Sequence, residues 1–516
     1  MTICWDLIRR MEKGALLERI PEEEWSPEQA AWGTEEPLYR FRYTPTLDDF
    51  QWDDKQQFAV WRENGTLVCL QHIDGWRTEL FEGWRTRDAS SEPRYKYQGQ
   101  SVAFEIDFTR RVDGVKCTIY GKTNHAIAET LTFLWSLDRG RAKIQKALLS
   151  SLDVSILSAE QLASILNANR NIQLNMPSIA WTPEQSVVLA TRPFSLNWNL
   201  TQRFSDHGTA FVSALQTRQK GQSNFGTLTF EVSTFSRPNL ELLFQLEDTF
   251  TKLDVECHDH DLVLLPFSAK VETLHYTFET YGIVDPEDFG SIEMKPKNVH
   301  LEIKNFIRNV LMVTAVLDRL AQLGHLERLG LTLAEIGRNI DADQVALVAE
   351  ALLRVIHANP SLSYLDLSKT HRFHQRVDWT PHYEQIFDAM EARSSLSTST
   401  IAIHEPGRNT PFGGYSDTSM NAALYSQVET LLSRNRHILV EDQWGLTFTD
   451  GSKIDSIYKL NRFYNGSENL AKGTTSFWKP QLMVTALTHS SSGKFSFTAL
   501  LLSHHTNTLV ECLYGS

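Results

Sequence analysis

The densest run of side chains able to hold a metal is Cys257-His-Asp-His260-Asp261. Zinc takes about four nitrogen, sulfur or carboxylate ligands in a tetrahedron. This run has no Cys-x-x-Cys partner, and it follows a strand-like stretch where polar loop residues are ordinary. No metal site is therefore expected. His504 and His505 are adjacent, and neighbours in an extended run point to opposite faces, so they do not converge either. A G-x-S-x-G elbow, a G-x-x-x-x-G-K-S/T loop and an H-E-x-x-H pair are all absent. Carboxylate neighbours such as Glu287-Asp288 read as solvated surface. The chain is expected to be no enzyme, with no catalytic residue and no cofactor.

The chemistry that remains is recognition by polar side chains spaced along strands. Asp254, Glu256, His275, Glu279, His300, Glu302 and Asp366 each alternate with apolar neighbours. In an extended chain that places them together on the face opposite the apolar residues. Glu231, Lys252, Lys304 and Arg328 fall on the same face by the same count. Acids outnumber bases there, which suits a basic or mixed-charge protein segment as partner.

The elements that must carry this face are a series of strand-plus-helix units. Leu326, Leu329 and Leu331 follow L-x-x-L-x-L, and so do Leu362, Leu365 and Leu367, thirty-six residues later. Between them, Val345, Val348, Leu352 and Val355 or Ile356 mark one face of a helix, with Asp341 and Gln344 as a capping-box start. Ser158-Ala-Glu-Gln161 and Thr182-Pro-Glu-Gln185 are capping boxes twenty-four residues apart, and strands around Ile172-Leu174 and Phe194-Trp198 keep that shift. Leu228-Val232, Leu253-Val255, Leu274-Phe278 and Val299-Ile303 continue the series, and Ile401-Ile403 is read as its last strand.

A closed (β/α)8 barrel and an open horseshoe both use such units. Barrel strands are buried on both faces and read as continuous apolar runs. Here every second residue is polar, which a solvated concave sheet tolerates without desolvation cost. An α/β horseshoe, a leucine-rich-repeat-like solenoid, is the expected fold over residues 151–419.

Asn359-Pro-Ser-Leu362-Ser-Tyr-Leu365-Asp-Leu367-Ser-Lys-Thr370 resembles a ribonuclease-inhibitor-like leucine-rich repeat, N-x-x-L-x-x-L-D-L-S-x-N. Thr370 stands where that family has an Asn that bonds the bend after the strand. The layout is also similar to an expanded set of repeat proteins of diatom-type algae, including the tail segments Leu460-Asn-Arg-Phe-Tyr-Asn-Gly466 and Ala499-Leu-Leu-Leu-Ser-His-His505. The resemblance implies a protein-binding scaffold without catalysis.

Residues 1–150 differ in character. After a short helix over 1–13 come strands at Leu38–Tyr43, Phe58–Trp61, Thr66–His72, Val102–Phe108 and Val115–Tyr120, with Asn64-Gly65 and Asp113-Gly114 as hairpin turns. This predicts a small β-rich domain. Trp32, Trp52, Trp61, Trp76 and Trp84 crowd it. They are read as core and edge packing, the alternative being an aromatic platform that makes this domain a glycan- or nucleotide-binding module. Residues 420–516, opening with a helix over Met420–Arg434, are read as an atypical C-terminal cap.

The whole chain has 516 residues and a formal net charge of −13, which argues against a nucleic-acid coat. Nothing approaches the roughly 20 apolar residues of a membrane helix, and the opening residues are too charged for a signal-peptide core. Five scattered cysteines suggest no disulfide framework. The expectation is an intracellular protein, cytoplasmic or nuclear.

Overall fold

A computed structural model describes residues 16–31, 37–50, 57–74, 100–108, 113–137, 142–145, 156–168, 173–174, 180–200, 203–219, 224–280, 285–335, 341–368, 375–377, 379–391, 399–403, 418–442 and 445–472, with isolated positions 499, 503 and 506. The chain divides into two compact units, Met1–Val255 and Glu256–Ser516. Both mix helices with sheets, and among the described residues no sheet closes into a barrel.

The first unit opens on a seven-stranded sheet. Its strands are β1 (Leu17–Arg19), β2 (Leu38–Phe41), β3 (Gln57–Trp61), β4 (Leu67–Asp74), β5 (Gln100–Phe108), β6 (Asp113–Gly121) and β7 (Ala142–Gln145), in the order β1-β2-β3-β4-β6-β5-β7. Only β2 and β3 run parallel. The β3–β4 turn is the expected one: Gly65 sits at φ 78°, a conformation that costs glycine nothing. The second expected turn is displaced. Asp113 and Gly114 lie inside β6, paired with Asp74 and Ile73 of β4, so the β5–β6 connection falls in 109–112, outside the described residues. A short helix α1 (Pro27–Ala31) and a longer α2 (Asn124–Trp135) complete this part. The strand pattern alone gave no hint of α2, which Thr123 caps by accepting the Ala126 N–H. Ile127, Leu131 and Leu134 bury its inner face.

Strand–helix alternation follows in the same unit. Helices α3 (Ala159–Ala168), α4 (Pro183–Thr191), α5 (Thr209–Gln219) and α6 (Arg237–Phe244) alternate with β8 (Gln173–Leu174), β9 (Ala180–Trp181), β10 (Leu196–Leu200), β11 (Arg203–Phe204), β12 (Gly226–Glu231) and β13 (Phe250–Cys257), whose last two residues belong to the second unit. Strands β8, β10 and β12 pair in parallel, and β9 pairs with β11. Both capping boxes form: Ser158 and Gln161 exchange bonds of 2.9 and 3.2 Å, Thr182 and Gln185 of 3.1 and 3.3 Å. The core here is aromatic. Trp181 meets Trp198 edge-on at 5.4 Å, and Phe204 stacks on Phe211 at 5.1 Å.

The second unit is the more regular. It contains β14 (Thr273–Glu279), β15 (Asn298–Lys304), α7 (Val310–Leu323), β16 (Arg328–Glu335), α8 (Ala342–Ala358), β17 (Tyr364–Asp366), β18 (Gln375–Arg376), α9 (Tyr383–Glu391), β19 (Ser399–Ala402), α10 (Thr418–Arg434), β20 (Ile438–Glu441) and α11 (Lys453–Lys472). Strands β14, β15, β16, β17, β19 and β20 pair in that order, all parallel. Among the described strands of this unit, only β18 runs the other way, against the end of β16. Ile401 is thus not in the last strand of the series, since β20 follows β19. Helices pack sequentially as well: α7 on α8, α8 on α9, α9 on α10, α10 on α11. Leu274, Leu301, Leu329, Leu331 and Leu365 are buried, each at 1% exposure or less. Each such side chain contributes roughly 1.5–3 kcal/mol by leaving water.

One device recurs at the junctions in both units. A polar side chain on or just after a helix reaches a carbonyl 27 to 39 residues earlier in the chain: Gln185 donates to Leu157, Arg218 to Ala190, Arg319 to Ile292, Asn359 to Leu320 and Asn461 to Leu432. These separations are about one strand–helix unit. Each bond gives a main-chain carbonyl at or near a helix or turn boundary a side-chain donor from the following unit. Asn359, wholly buried, also accepts the Leu326 N–H at 2.8 Å and so ties the end of α8 to the entry of β16. Asp341 caps α8 through the Asp343 N–H, whereas Gln344 turns to the Ile307 carbonyl, so the full capping box expected there does not form.

The helix over 1–13, the strand and apolar run over 482–502 apart from Ala499, Thr370, His504 and His505 lie outside the described residues.

Candidate functional site

Parallel pairing without slippage aligns residues of equal parity into rows across the strands. In the second unit the row His275, His300, Gly330, Asp366, Ala402 and Glu441 runs over six strands, from β14 to β20. Beside it runs Thr273, Asn298, Arg328, Tyr364, Thr400 and Leu439. Further along lie Thr277, Glu302 and Thr332, then Glu279, Lys304 and Ala334. The apolar rows, such as Leu274, Val299, Leu329, Leu365, Ile401 and Val440, take the other face.

Six of the seven residues singled out in the sequence therefore belong to this unit. Asp254 belongs to the first unit, where its carboxylate lies 3.5 Å from the Lys252 ammonium.

At one end of the face, Glu256 accepts from Lys304 Nζ at 2.6 Å. His258 stands between two carboxylates, its Nε2 3.3 Å from Glu256 and its Nδ1 3.4 Å from Glu279. His258 was visible only as part of the Cys-His-Asp-His run. The rest of that run turns elsewhere. Cys257 is buried and donates to the Asp259 carbonyl, Asp259 accepts the Asp261 N–H, and His260 and Asp261 are exposed. Among the described residues no three His, Cys, Asp or Glu side chains converge on one point.

In the middle of the face, the His275 and His300 rings lie 5.0 Å apart and tilted by 38°. Thr332 Oγ1 lies 3.4 Å from His300 Nε2. Gly330 makes room for the imidazole, since a Cβ at that position would stand 1.7 Å from His300 Nδ1. His300 is consequently only 9% exposed and Asp366 only 6%. This corrects the expectation of a fully solvated face. Side chains in one row of a parallel sheet sit about 4.8 Å apart and cover one another.

Asp366 holds its place by accepting from the N–H and hydroxyl of Ser368. The Arg328 guanidinium lies 4.0 Å over the Tyr364 ring, a cation–π contact. Burial raises the Tyr364 hydroxyl above its usual range, helped by the charges of Asp366 and Glu441. Glu441 is raised too, chiefly by burial, with Asp366 and Asp442 adding to it and Arg328 opposing. Neither Tyr364 nor Glu441 stands out in the sequence, because β20 is too short to carry a periodic signal and Tyr364 falls at a variable position of the L-x-x-L-x-L pattern.

In the first unit, Trp61 packs beside Trp25 and Tyr120 against a core of Ile20, Leu38, Ala59, Leu67 and Cys69. Trp32, Trp52, Trp76 and Trp84 lie outside the described residues. Cys69, Cys117 and Cys257 are buried thiols rather than disulfide halves. No described helix is long and apolar enough to cross a membrane.

Neither the known protein-family models nor the curated proteins contain a match to this chain.

Proposed function

We propose that the chain is a non-catalytic, protein-binding scaffold, a leucine-rich-repeat-like horseshoe that docks a basic or mixed-charge protein segment on its polar strand face. The observation that carries the reading is the alignment of charged and aromatic side chains in rows over six parallel strands of the second unit. Such rows suit an extended or helical segment, which offers side chains at regular intervals. Sequential packing of the helices supports the repeat reading, since each unit of a solenoid touches its neighbours. The resemblance of residues 359–370 to a ribonuclease-inhibitor-like repeat supports it further.

Binding of the full chain to an array of arginine- and lysine-rich peptides, with acidic and neutral peptides as controls, tests the reading. The expected result is retention of basic peptides that falls when Glu279, Glu302 and Glu441 are changed together to glutamine. Retention that the triple variant leaves unchanged, with its circular dichroism intact, removes this face as the docking site.

A further inference from the structure

The carboxyl ends of β13, β14 and β15, neighbours in the sheet, carry charged side chains on the polar face. Glu256 stands one residue before the end of β13, Glu279 ends β14 and Lys304 ends β15. His258, the first residue past β13, reaches into this group. Its Nε2 lies 3.3 Å from Glu256 Oε1 and its Nδ1 3.4 Å from Glu279 Oε1. Lys304 Nζ donates to the same Glu256 oxygen at 2.6 Å.

The turn after β13 sets the imidazole there. Cys257 is buried, and its thiol donates to the Asp259 carbonyl at 3.1 Å. The same carbonyl accepts the Leu262 N–H at 3.2 Å, and the Asp259 carboxylate accepts the Asp261 N–H at 3.0 Å. The His258 side chain is 46% exposed and that of Glu279 23%, so protons and a partner both reach the pair.

Counting protons assigns the charge state that this geometry suits. A neutral imidazole carries one N–H and one lone pair, and the imidazolium carries an N–H on each nitrogen. A carboxylate oxygen stands at each nitrogen of His258, so the neutral ring must turn a lone pair towards one of them. The cation attracts both. Histidine is the side chain whose charge changes between about pH 5 and pH 8. The charged groups that face it are Glu256 from β13 and Glu279 from β14, with Lys304 of β15 behind Glu256. On its own turn, Asp259 is engaged with the Asp261 N–H, and His260 and Asp261 are exposed.

We propose that His258 is a proton-operated clamp on the docking face. Protonated, it ties the ends of β13 and β14 together and occupies Glu279; deprotonated, it gives Glu279 up to a lysine or arginine of the partner. Glu256 stays with Lys304 in both states. The inference rests on the docking reading above and adds that acid closes this end of the face to a basic segment.

Two measurements on the full chain test it, each at about pH 5.5 and about pH 8, the two ends of the histidine range. The first needs no partner: deuterium uptake of residues 257–263, corrected for the intrinsic pH dependence of exchange. In acid, wild type should be protected about two- to fivefold more than His258→Gln, the range of part-exposed ion pairs, and the two should agree at the higher pH. Equal protection in acid overturns the clamp. The second is the affinity of an arginine-rich peptide. His258→Gln should bind it about two- to fivefold more tightly than wild type in acid, and equally at the higher pH. The remaining groups of the face are common to both proteins and cancel in that ratio. Equal affinities in acid, with the peptide bound by both, overturn the gating. A peptide that binds neither protein at either pH overturns the docking reading, and the exchange result then decides the clamp by itself. If His258→Gln does not fold, Glu279→Gln, which removes one arm, replaces it in the exchange measurement, and protection equal to wild type in acid refutes the proposal.

Discussion

His300 fills the space that Gly330 leaves open on the neighbouring strand. Alternation with Val299 and Leu301 placed it on the polar face, which is where it lies. Its burial was not legible, because that depends on Gly330, thirty residues away, lacking a Cβ where the imidazole lies. Gly330→Ala should therefore force the ring off its place beside His275 and Thr332, at a cost of about 1–3 kcal/mol, the usual range for overpacking. Urea denaturation measures this, and adding His300→Ala to the variant should restore most of the loss. A loss under half a kcal/mol, by the same overpacking scale, would show that the ring moves freely. Glu441 gives a second residue-level expectation, from the rise that burial imposes on its carboxyl. A raised carboxyl means that the fold prefers the protonated form. The associated stability is present in acid and declines as pH climbs past the ordinary carboxylate range through the raised value. Glu441→Gln cannot ionise, so its stability relative to wild type should increase between about pH 4 and pH 7. Urea midpoints of the two proteins across that window test the sign; a difference that stays flat or shrinks contradicts it.

Elements with strong local signals were legible. Both threonine- and serine-led capping boxes form, and α8 buries Val345, Val348, Leu352 and Val355 as its spacing requires. Elements whose identity is set by neighbours were not. Strand β20 is only four residues long, and it is recognisable through its pairing with β19 and the two hydrogen bonds between Tyr458 and Val440 along its backbone. Helix α2 was obscured by the strands around it. The long α11 includes Asn465-Gly466, which reads as a turn in isolation. At this scale the clearest expectation concerns β17. Leu365 is fully buried in β17, where it pairs with Leu329 of β16. Leu365→Ala removes apolar surface and leaves a cavity, which should cost about 2–5 kcal/mol in chemical denaturation. A cost under half a kcal/mol, far below that range, would mean that β17 is not part of the load of the second unit's core.

For the molecule as a whole, a net charge of −13 sets the background field, and the polar face concentrates it. Glu256, Glu279, Glu302, Asp366 and Glu441 stand there against Lys304 and Arg328. Lys304 is already committed to Glu256, and the Arg328 guanidinium lies on Tyr364, so the surplus is acidic. These groups differ in reach. Asp366 is buried and acts through the low-dielectric sheet, whereas Glu256 and Glu279 are part-exposed and screened by salt. A basic segment on this face should therefore lose affinity steeply at first as salt is added, then level off. The Debye length falls from about 10 Å at 0.1 M to about 3 Å at 1 M, which silences the exposed acids and leaves direct contacts. Binding of an arginine-rich peptide measured over that salt range gives the slope. The Glu279, Glu302 and Glu441 triple glutamine variant should flatten it and lose roughly tenfold in affinity at low salt, equivalent to about 1.4 kcal/mol. If the peptide binds with the same slope to the variant, its attraction comes from the overall charge and not from this face.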